Sequence, residues 1–382
     1  MVGKRAFLQR LTAQKYKLKS LLDKERLEGS SPPSVFIGRD GYPNVFAGPM
    51  LTQETDSQIY DAPEKWVGRF SKDEIINFRL KLVRGMQRTK ATDVDNQLIQ
   101  KLQEIALSKR SLLANAEFEH KPRGITFSED HQPFGPSGKL KSIEIENAKW
   151  HKDLEKAHYD TDMRAAEAVV ELARKGLEFT TIQRALSTGA FGLRKKRRIV
   201  PTRWSITATD DILGKAAIAE VRELEPINEF RIYESYGMDN YFAVLLTPGK
   251  WQYEAIEAFI NVIPNKTFTF SDFEGHFGRK VYSEMGGCYY AQRNVVAEHL
   301  SKKGEQAGAF VFREVYEGYI PTGVWLCREL TKQALRQDAK TFKTMKEALQ
   351  YLNTRLKLGI AKHKAEMKLI NSTSFQKTLC DF

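Results

Sequence analysis

Between residues 230 and 247 the chain commits to strands. Phe230–Tyr236 and Tyr241–Thr247 are apolar runs of strand length, joined by the turn formers Gly237-Met238-Asp239-Asn240. Two such runs across so short a connection read as an antiparallel hairpin, the clearest in the chain. Most other patterned segments are helical. An amphipathic helix is expected from Phe7 to about Arg26, ended by the breakers Gly29-Ser30-Ser31-Pro32-Pro33. Ser34–Pro49 reads as two short strands around a Gly/Pro turn. Ser71-Lys72-Asp73-Glu74 is a capping box opening a helix to about Met86. A second helix fits Val94 to about Ser111, with Leu98, Leu102, Ile105 and Ala106 on one face. Residues 120–142, rich in Pro and Gly, read as loop. Helices then follow over Trp150–Lys175, Thr181–Ser187 and Ile212–Leu224, the last capped by Thr209-Asp210-Asp211. Beyond the hairpin a strand is expected at Thr267–Phe270, a helix at Tyr289–Leu300 and a buried strand at Ala307–Val315. Helices at Gly323–Arg336 and Met345–Ile370 end the series. In the last of these Met345, Leu349, Leu352, Leu356, Ile360, Met367 and Ile370 recur at helical spacing and are expected to be core.

The expected class is therefore α/β in the mixed α+β sense, helix-rich with antiparallel hairpins. A larger N-terminal domain over 1–265, a smaller one over 266–370 and a flexible tail over 371–382 are expected, with the seam at Pro264-Asn265-Lys266. An apolar share of 41% is that of a folded chain, and no run approaches the roughly 20 apolar residues a membrane span needs. The basic N-terminus lacks the apolar stretch of a secretion signal, so a cytoplasmic location is expected. Lys and Arg number 60 against 48 Asp and Glu, a net charge of +12, which favours polyanion partners.

The cations concentrate at Arg194-Lys195-Lys196-Arg197-Arg198, followed by Ile199-Val200-Pro201-Thr202-Arg203-Trp204-Ser205. Five adjacent positive charges repel one another, and phosphate would relieve them, since guanidinium forks onto it. The turn Gly189-Ala190-Phe191-Gly192 would let the backbone approach an anion, and Trp204 offers a plane for a base. A solvated loop is the plain alternative. Arg39, in the turn Gly38-Arg39-Asp40-Gly41-Tyr42-Pro43, either faces this cluster across a cleft or merely belongs to a turn. Gly286-Gly287 precede a helix whose free amides suit an anion, with Tyr290 and Arg293 one turn on, although glycines also simply start helices. Lys195, Lys196, Arg197, Arg198, Arg203, Arg39, Trp204, Tyr290 and Arg293 are thus the candidate nucleic-acid or phosphate contacts. Seven histidines without ligand spacing, and cysteines only at 288, 327 and 380, give no basis for a metal site or a disulfide framework. The sequence leaves any cofactor unknown. No Gly-x-Ser-x-Gly elbow, kinase set or paired-carboxylate pattern is present, so catalytic residues are not identified and enzymatic activity stays open. Three readings remain: a factor binding DNA or nucleotide, a nucleotide- or phosphate-ester-processing enzyme using Arg194–Ser205, and an adaptor steered by its charge.

The chain ends on Gln376-Lys377-Thr378-Leu379-Cys380-Asp381-Phe382. One tight turn brings Gln376, Leu379 and Phe382 to one side, with two apolar plugs and a hydrogen-bonding amide. The spacing resembles the PIP motif, the peptide that docks replication and repair proteins on the PCNA sliding clamp. It has a single terminal aromatic where the fullest form has two. Together with Ser31–Pro43, Gln132–Ser137, Arg198–Thr207, Tyr289-Tyr290-Ala291 and Gly323-Val324-Trp325, this ending resembles the archaeal Nre family over nearly the whole length. The resemblance implies an N-terminal and a smaller C-terminal Nre domain, a part in DNA repair, and PCNA as partner through Gln376, Leu379 and Phe382. Some relatives carry an N-terminal four-cysteine zinc element; nothing before Cys288 supplies one here.

Overall fold

The structure, a computed structural model, describes residues 25–124, 126–128 and 131–371. By mutual contact these form two units, residues 25–213 with 321–323 and residues 214–320 with 324–371. Both mix helices with a six-stranded sheet, so the class is α+β as expected.

In the N-terminal unit the strands are β1 (Arg26–Ser31), β2 (Val35–Ile37), β3 (Asn44–Leu51), β4 (Val83–Lys90), β5 (Leu112–Phe118), β6 (Thr126–Ser128), β7 (His131–Phe134) and β8 (Ser137–Ile145). Six of them make one sheet in the order β1-β5-β8-β4-β3-β2, and β6 and β7 pair separately. The pair β4–β8 is parallel and the other pairs of the sheet are antiparallel. The expected hairpin is β2–β3, with the Gly/Pro turn between its strands. Helix α1 (Lys72–Leu80) opens on the Ser71–Glu74 capping box but stops before Met86. Val83–Met86 belong to β4 instead, where Gly85 lies so close to β3 that a Cβ on Gly48 would sit 1.7 Å from the Gly85 carbonyl oxygen.

The breaker cluster 29–31 is strand, not helix end. Gly29 is paired in β1, and a Cβ there would meet the Thr52 carbonyl oxygen at 2.1 Å. This close approach requires a residue without a side chain at 29, and in sequence that reads as a breaker. Most of the helix expected from Phe7 lies outside the described residues. Helix α2 (Gln97–Leu107), capped by Asn96, packs Leu98, Ile99, Leu102, Ile105 and Ala106 against β-strand residues in the core. The single helix expected over 150–175 is two, α3 (Lys152–Tyr159) and α4 (Ala165–Arg174). The Asp160 carboxylate between them accepts from the backbone N–H groups of Asp162 and Met163, a local bond that competes with helix. Helix α5 (Phe179–Ser187) joins them in a second cluster with Leu154, Val169, Leu172 and Ile182. Helix α6 (Thr202–Val221) starts a full two turns before the expected cap; Thr209 and Asp210 are buried inside it. The two units divide within α6, between Leu213 and Gly214.

The C-terminal unit adds β9 (Phe230–Gly237), β10 (Asn240–Thr247), β11 (Gln252–Ile263), β12 (Lys266–Glu274), β13 (Gly308–Val315) and β14 (Lys340–Phe342), in the order β12-β11-β13-β10-β9-β14. The expected hairpin is β9–β10, with φ of 50° at Met238 and 59° at Asp239 in its turn. Pro264 and Asn265, read from sequence as the seam between domains, form the turn from β11 to β12 inside this sheet, with φ of 60° at Asn265. Helices α7 (Gly287–Lys303), α8 (Trp325–Leu335), α9 (Met345–Arg355) and α10 (Ile360–Glu366) complete it. The long helix expected to Ile370 breaks at Gly359, φ 78°, yet its stripe is core. Leu352, Leu356, Met367 and Ile370 pack on Ile232, Ala243, Leu245, Ile256 and Phe312.

On that face Glu234 gathers four donors: the Tyr241 hydroxyl at 2.6 Å, the Tyr351 hydroxyl at 2.5 Å, and Lys340 Nζ and Arg355 Nε at 2.8 Å each. Burial pushes this carboxyl up, but the donors outweigh it and hold it at about 2 against an ordinary 4.5. The folded chain therefore binds this proton less readily than the unfolded chain. The stabilisation is complete above pH 4.5 and is lost as pH falls towards 2. With Lys340 and Arg355 half in solvent, about 2 kcal/mol is expected. Denaturant melts at pH 6 and pH 3 should show Glu234→Gln losing less stability on acidification than the parent chain.

Candidate nucleic-acid interface

The basic segment is anchored by backbone contacts that place it beside two other segments. Ala91 N–H donates to the Pro43 carbonyl at 2.7 Å, and Ile199 N–H donates to the Ala91 carbonyl at 2.9 Å. Pro43, Ala91 and Ile199 therefore lie side by side, carrying with them the Gly38–Pro43 turn, the end of β4 and the end of the cation run. Ile37 N–H donates to Thr202 Oγ1 at 2.9 Å, which ties β2 to the first residue of α6. One turn into that helix, Trp204 reaches Tyr42, ring centroids 5.1 Å apart at 56°. Both rings are exposed, Trp204 by 44% and Tyr42 by 38%. Each exposed ring offers a face on which a base could stack, and its burial on a ligand would be favourable.

Strand register extends the face. Phe46 on β3 is exposed and stands opposite Arg88 on β4, while Asn44 stands opposite Lys90; all four point to solvent because Val45 and Thr89 between them are buried. Arg39 in the turn is half-buried, its Nε 3.9 Å from the exposed Asp40 carboxylate. Arg203 is half-buried beside Trp204. Lys195, Lys196 and Arg198 are exposed. Sequence reasoning missed Tyr42, Phe46, Arg88 and Lys90. Only the β3–β4 register and the Pro43–Ala91 contact bring them here.

The five cations are not equivalent. Arg194 is largely solvated and pairs with Asp95 at 3.2 Å. Arg197 is buried, donating from Nε to the Gly192 carbonyl at 2.8 Å and from Nη2 to the Asp160 carbonyl at 2.6 Å. Burial, with Arg194 nearby, pushes its guanidinium below the ordinary arginine value. It is a structural arginine holding the segment down and does not reach the face. Gly189, φ 66°, brings its backbone against that of Arg198, where a Cβ would meet the carbonyl oxygen at 2.7 Å. That close approach is by itself a reason for glycine there. Tyr290 and Arg293 lie in the C-terminal unit and are buried. Arg293 pairs with Glu274 at 2.7 Å over the Tyr290 ring, and the Tyr290 hydroxyl accepts from Ser283 N–H. They are interior groups. Gln376, Leu379 and Phe382 lie outside the described residues.

Beside the cation run a hollow of about 260 Å3 is lined by Asp95, Gln100, Gln103, Trp150, His158, Arg194 and Arg197 among others. His158 Nδ1 bonds the Ala190 carbonyl at 2.8 Å, and Trp150 meets the His158 ring edge-on at 5.1 Å. Burial pushes that imidazole below its ordinary value, so it is neutral at pH 7.

The face of this α+β chain thus sets an exposed aromatic pair among lysines and arginines. The sequence comparisons are more specific. Residues 3–264 match the family model described as archaeal Nre, N-terminal, and residues 274–382 that described as archaeal Nre, C-terminal. The chain is 36% identical over 370 residues to the DNA repair protein NreB of Archaeoglobus fulgidus, covering 93% of this chain and 91% of that one. It is 33% identical over 351 residues to the DNA repair protein NreA of the same organism, covering 90% and 89%. Against the DNA repair protein NreA of Haloferax volcanii it is 33% identical over 350 residues, covering 86% and 83%. No solved structure matches. The chain belongs to the archaeal Nre family.

Proposed function

We propose that this chain is a DNA repair factor that holds DNA on the face around Tyr42 and Trp204 and is recruited to the PCNA sliding clamp by Gln376, Leu379 and Phe382. The repair role follows the names of its relatives. The observation that carries DNA binding is the exposed Tyr42–Trp204 pair flanked by Lys90, Arg88, Lys195, Lys196 and Arg198. Exposed aromatics beside backbone-neutralising cations favour single-stranded or unpaired DNA, whose bases are free to stack. Location in the cytoplasm, where the genome of such a cell lies, goes with this reading; no helix among the described residues is long and apolar enough to cross a membrane.

Affinity for a fluorescent oligonucleotide, measured across a salt series, tests this. Lys195→Ala with Lys196→Ala and Arg198→Ala removes three phosphate contacts and should flatten the log–log slope by about 2 on a single strand. Tyr42→Ala or Trp204→Ala should weaken single-strand binding by about 1–3 kcal/mol at constant slope. An unchanged slope in the triple variant defeats the reading.

The hollow lined by Trp150, His158 and Arg194 favours a second reading, a pocket for a nucleotide or phosphate ester. In a thermal-shift assay a mononucleotide would then raise the melting temperature, increasingly with its concentration, with no DNA present. A third role, an adaptor whose basic patch only steers it to nucleic acid, would keep a salt-dependent affinity for polyanions but show neither a loss in the Tyr42→Ala and Trp204→Ala variants nor a mononucleotide shift.

A further inference from the structure

Among the described residues the C-terminal unit contains two thiols outside the proposed DNA-binding face. Cys288 is the second residue of α7 and half-buried; Cys327 lies on α8 and is buried. Remote in sequence, their Sγ atoms and one Glu257 carboxylate oxygen all fall within 4.8 Å of one another. Arg313 Nη1 is 4.0 Å from Cys288 Sγ, and Cys327 Sγ is 4.0 Å from Glu257 Oε1. Arg313 is itself fixed: it pairs with Glu257 at 2.6 Å and donates twice to Asn240 Oδ1 at 2.9 and 2.7 Å. A fixed guanidinium and the positive end of a 17-residue helix both favour negative charge on the Cys288 sulfur. The deeper thiol is in the opposite situation, since burial pushes Cys327 towards its protonated form.

We propose that Cys288 and Cys327 form a peroxide-reactive dithiol, with Cys288 attacking and Cys327 resolving. The Cys288 thiolate attacks a hydroperoxide oxygen; an S–O bond forms as the O–O bond breaks, and the alcohol or water leaves after taking a proton. Cys327 then gives its proton to the adjacent Glu257 carboxylate and attacks the Cys288 sulfur. The S–S bond forms, the S–O bond breaks, and the departing hydroxide takes up the proton from Glu257 as water. In sum two thiols lose two electrons, and one hydroperoxide is reduced to alcohol and water. The product ties the start of α7 to α8. Zinc is the rival occupant of two sulfurs and a carboxylate, but the Arg313 guanidinium on that carboxylate sets a fixed positive charge against a cation there.

The test treats the reduced full-length chain with hydrogen peroxide, alkylates remaining thiols, and reads intact mass and peptide map. The expected result is a loss of two hydrogens and a crosslink joining the Cys288 and Cys327 peptides, with Cys380 still alkylated. Cys327→Ser should stop at a sulfenic acid on Cys288 that dimedone traps, and Cys380→Ser should change nothing. The parent chain's peptide map does not depend on any variant folding. Oxidation appearing first at Cys380, a dithiol that stays reduced, or stoichiometric zinc that shields both thiols would each overturn the proposal.

Discussion

Replacing Leu379 and Phe382 together with alanine is expected to weaken the proposed binding to the PCNA clamp by about 10²–10⁴-fold. Burying one leucine and one phenylalanine contributes about 1.5–3 kcal/mol each, and about 1.4 kcal/mol is a factor of ten. A single short peptide starts near micromolar affinity, so the variant falls to millimolar or beyond calorimetric reach. Gln376→Ala removes a hydrogen bond at the pocket edge and should cost only about 1 kcal/mol. The ranking matters as much as the size: a hook that works by apolar plugging must lose far more at positions 379 and 382 than at 376. Titration calorimetry of the full chain against the clamp checks it, with the thermal midpoint as control for the body. Retained binding by the double variant would remove the tether from the proposed function without touching the DNA-binding face.

What could be read in advance was local. The hairpin of β9 and β10 announced itself because neighbouring runs and the turn between them lie within one stretch of chain. The stripe from Met345 to Ile370 was legible as core because 3.6-residue spacing survives the break at Gly359. Strand β11 was missed. It carries Glu254 and Glu257 in a fully buried run, and no pattern reveals that Lys368 and Ile370 N–H groups satisfy one while Arg313 satisfies the other. Strands β5 and β8 escaped for another reason: β8 alternates Lys, Ser and Glu with Leu140 and Ile143, and the Pro/Gly residues before it read as loop.

The candidate site divides the same way. A run of five cations ending near a tryptophan is visible in one dimension. That Arg197 turns inward is not, because its acceptors are the carbonyls of Gly192 and Asp160. Nor is the joining of Tyr42 to Trp204, which depends on a hydrogen bond between Ile37 and Thr202 across 165 positions of chain. At Gly29 and Gly189 backbone approaches backbone, a reason for glycine that no sequence pattern shows.

Glu257→Ala is expected to destabilise the C-terminal unit by about 3–5 kcal/mol, on the order of 10 °C in its melting temperature. Both members of the Glu257–Arg313 pair are essentially without solvent, with side chains exposed by 0% and 2%. They are direct neighbours in the β11–β13 register, so neither can swing to water without breaking the sheet's centre. Alanine leaves the guanidinium with Asn240 Oδ1 and the faces of Phe242, Phe259 and Tyr319, whose centroids are 5.5–5.7 Å away. Those groups soften a buried positive charge but do not neutralise it. The penalty is thus for the unpaired charge and not for the lost attraction, which makes a sharp contrast available. Removing both charges, with Glu257→Leu and Arg313→Met, should recover a large part of the loss, because apolar groups of similar volume replace buried ion pairs at little cost. Calorimetric melts of the parent, single and double variants distinguish the two accounts. Equal losses in single and double variants would mean that the pair contributes its full attraction, and that the centre of this sheet is held by charge and not by packing.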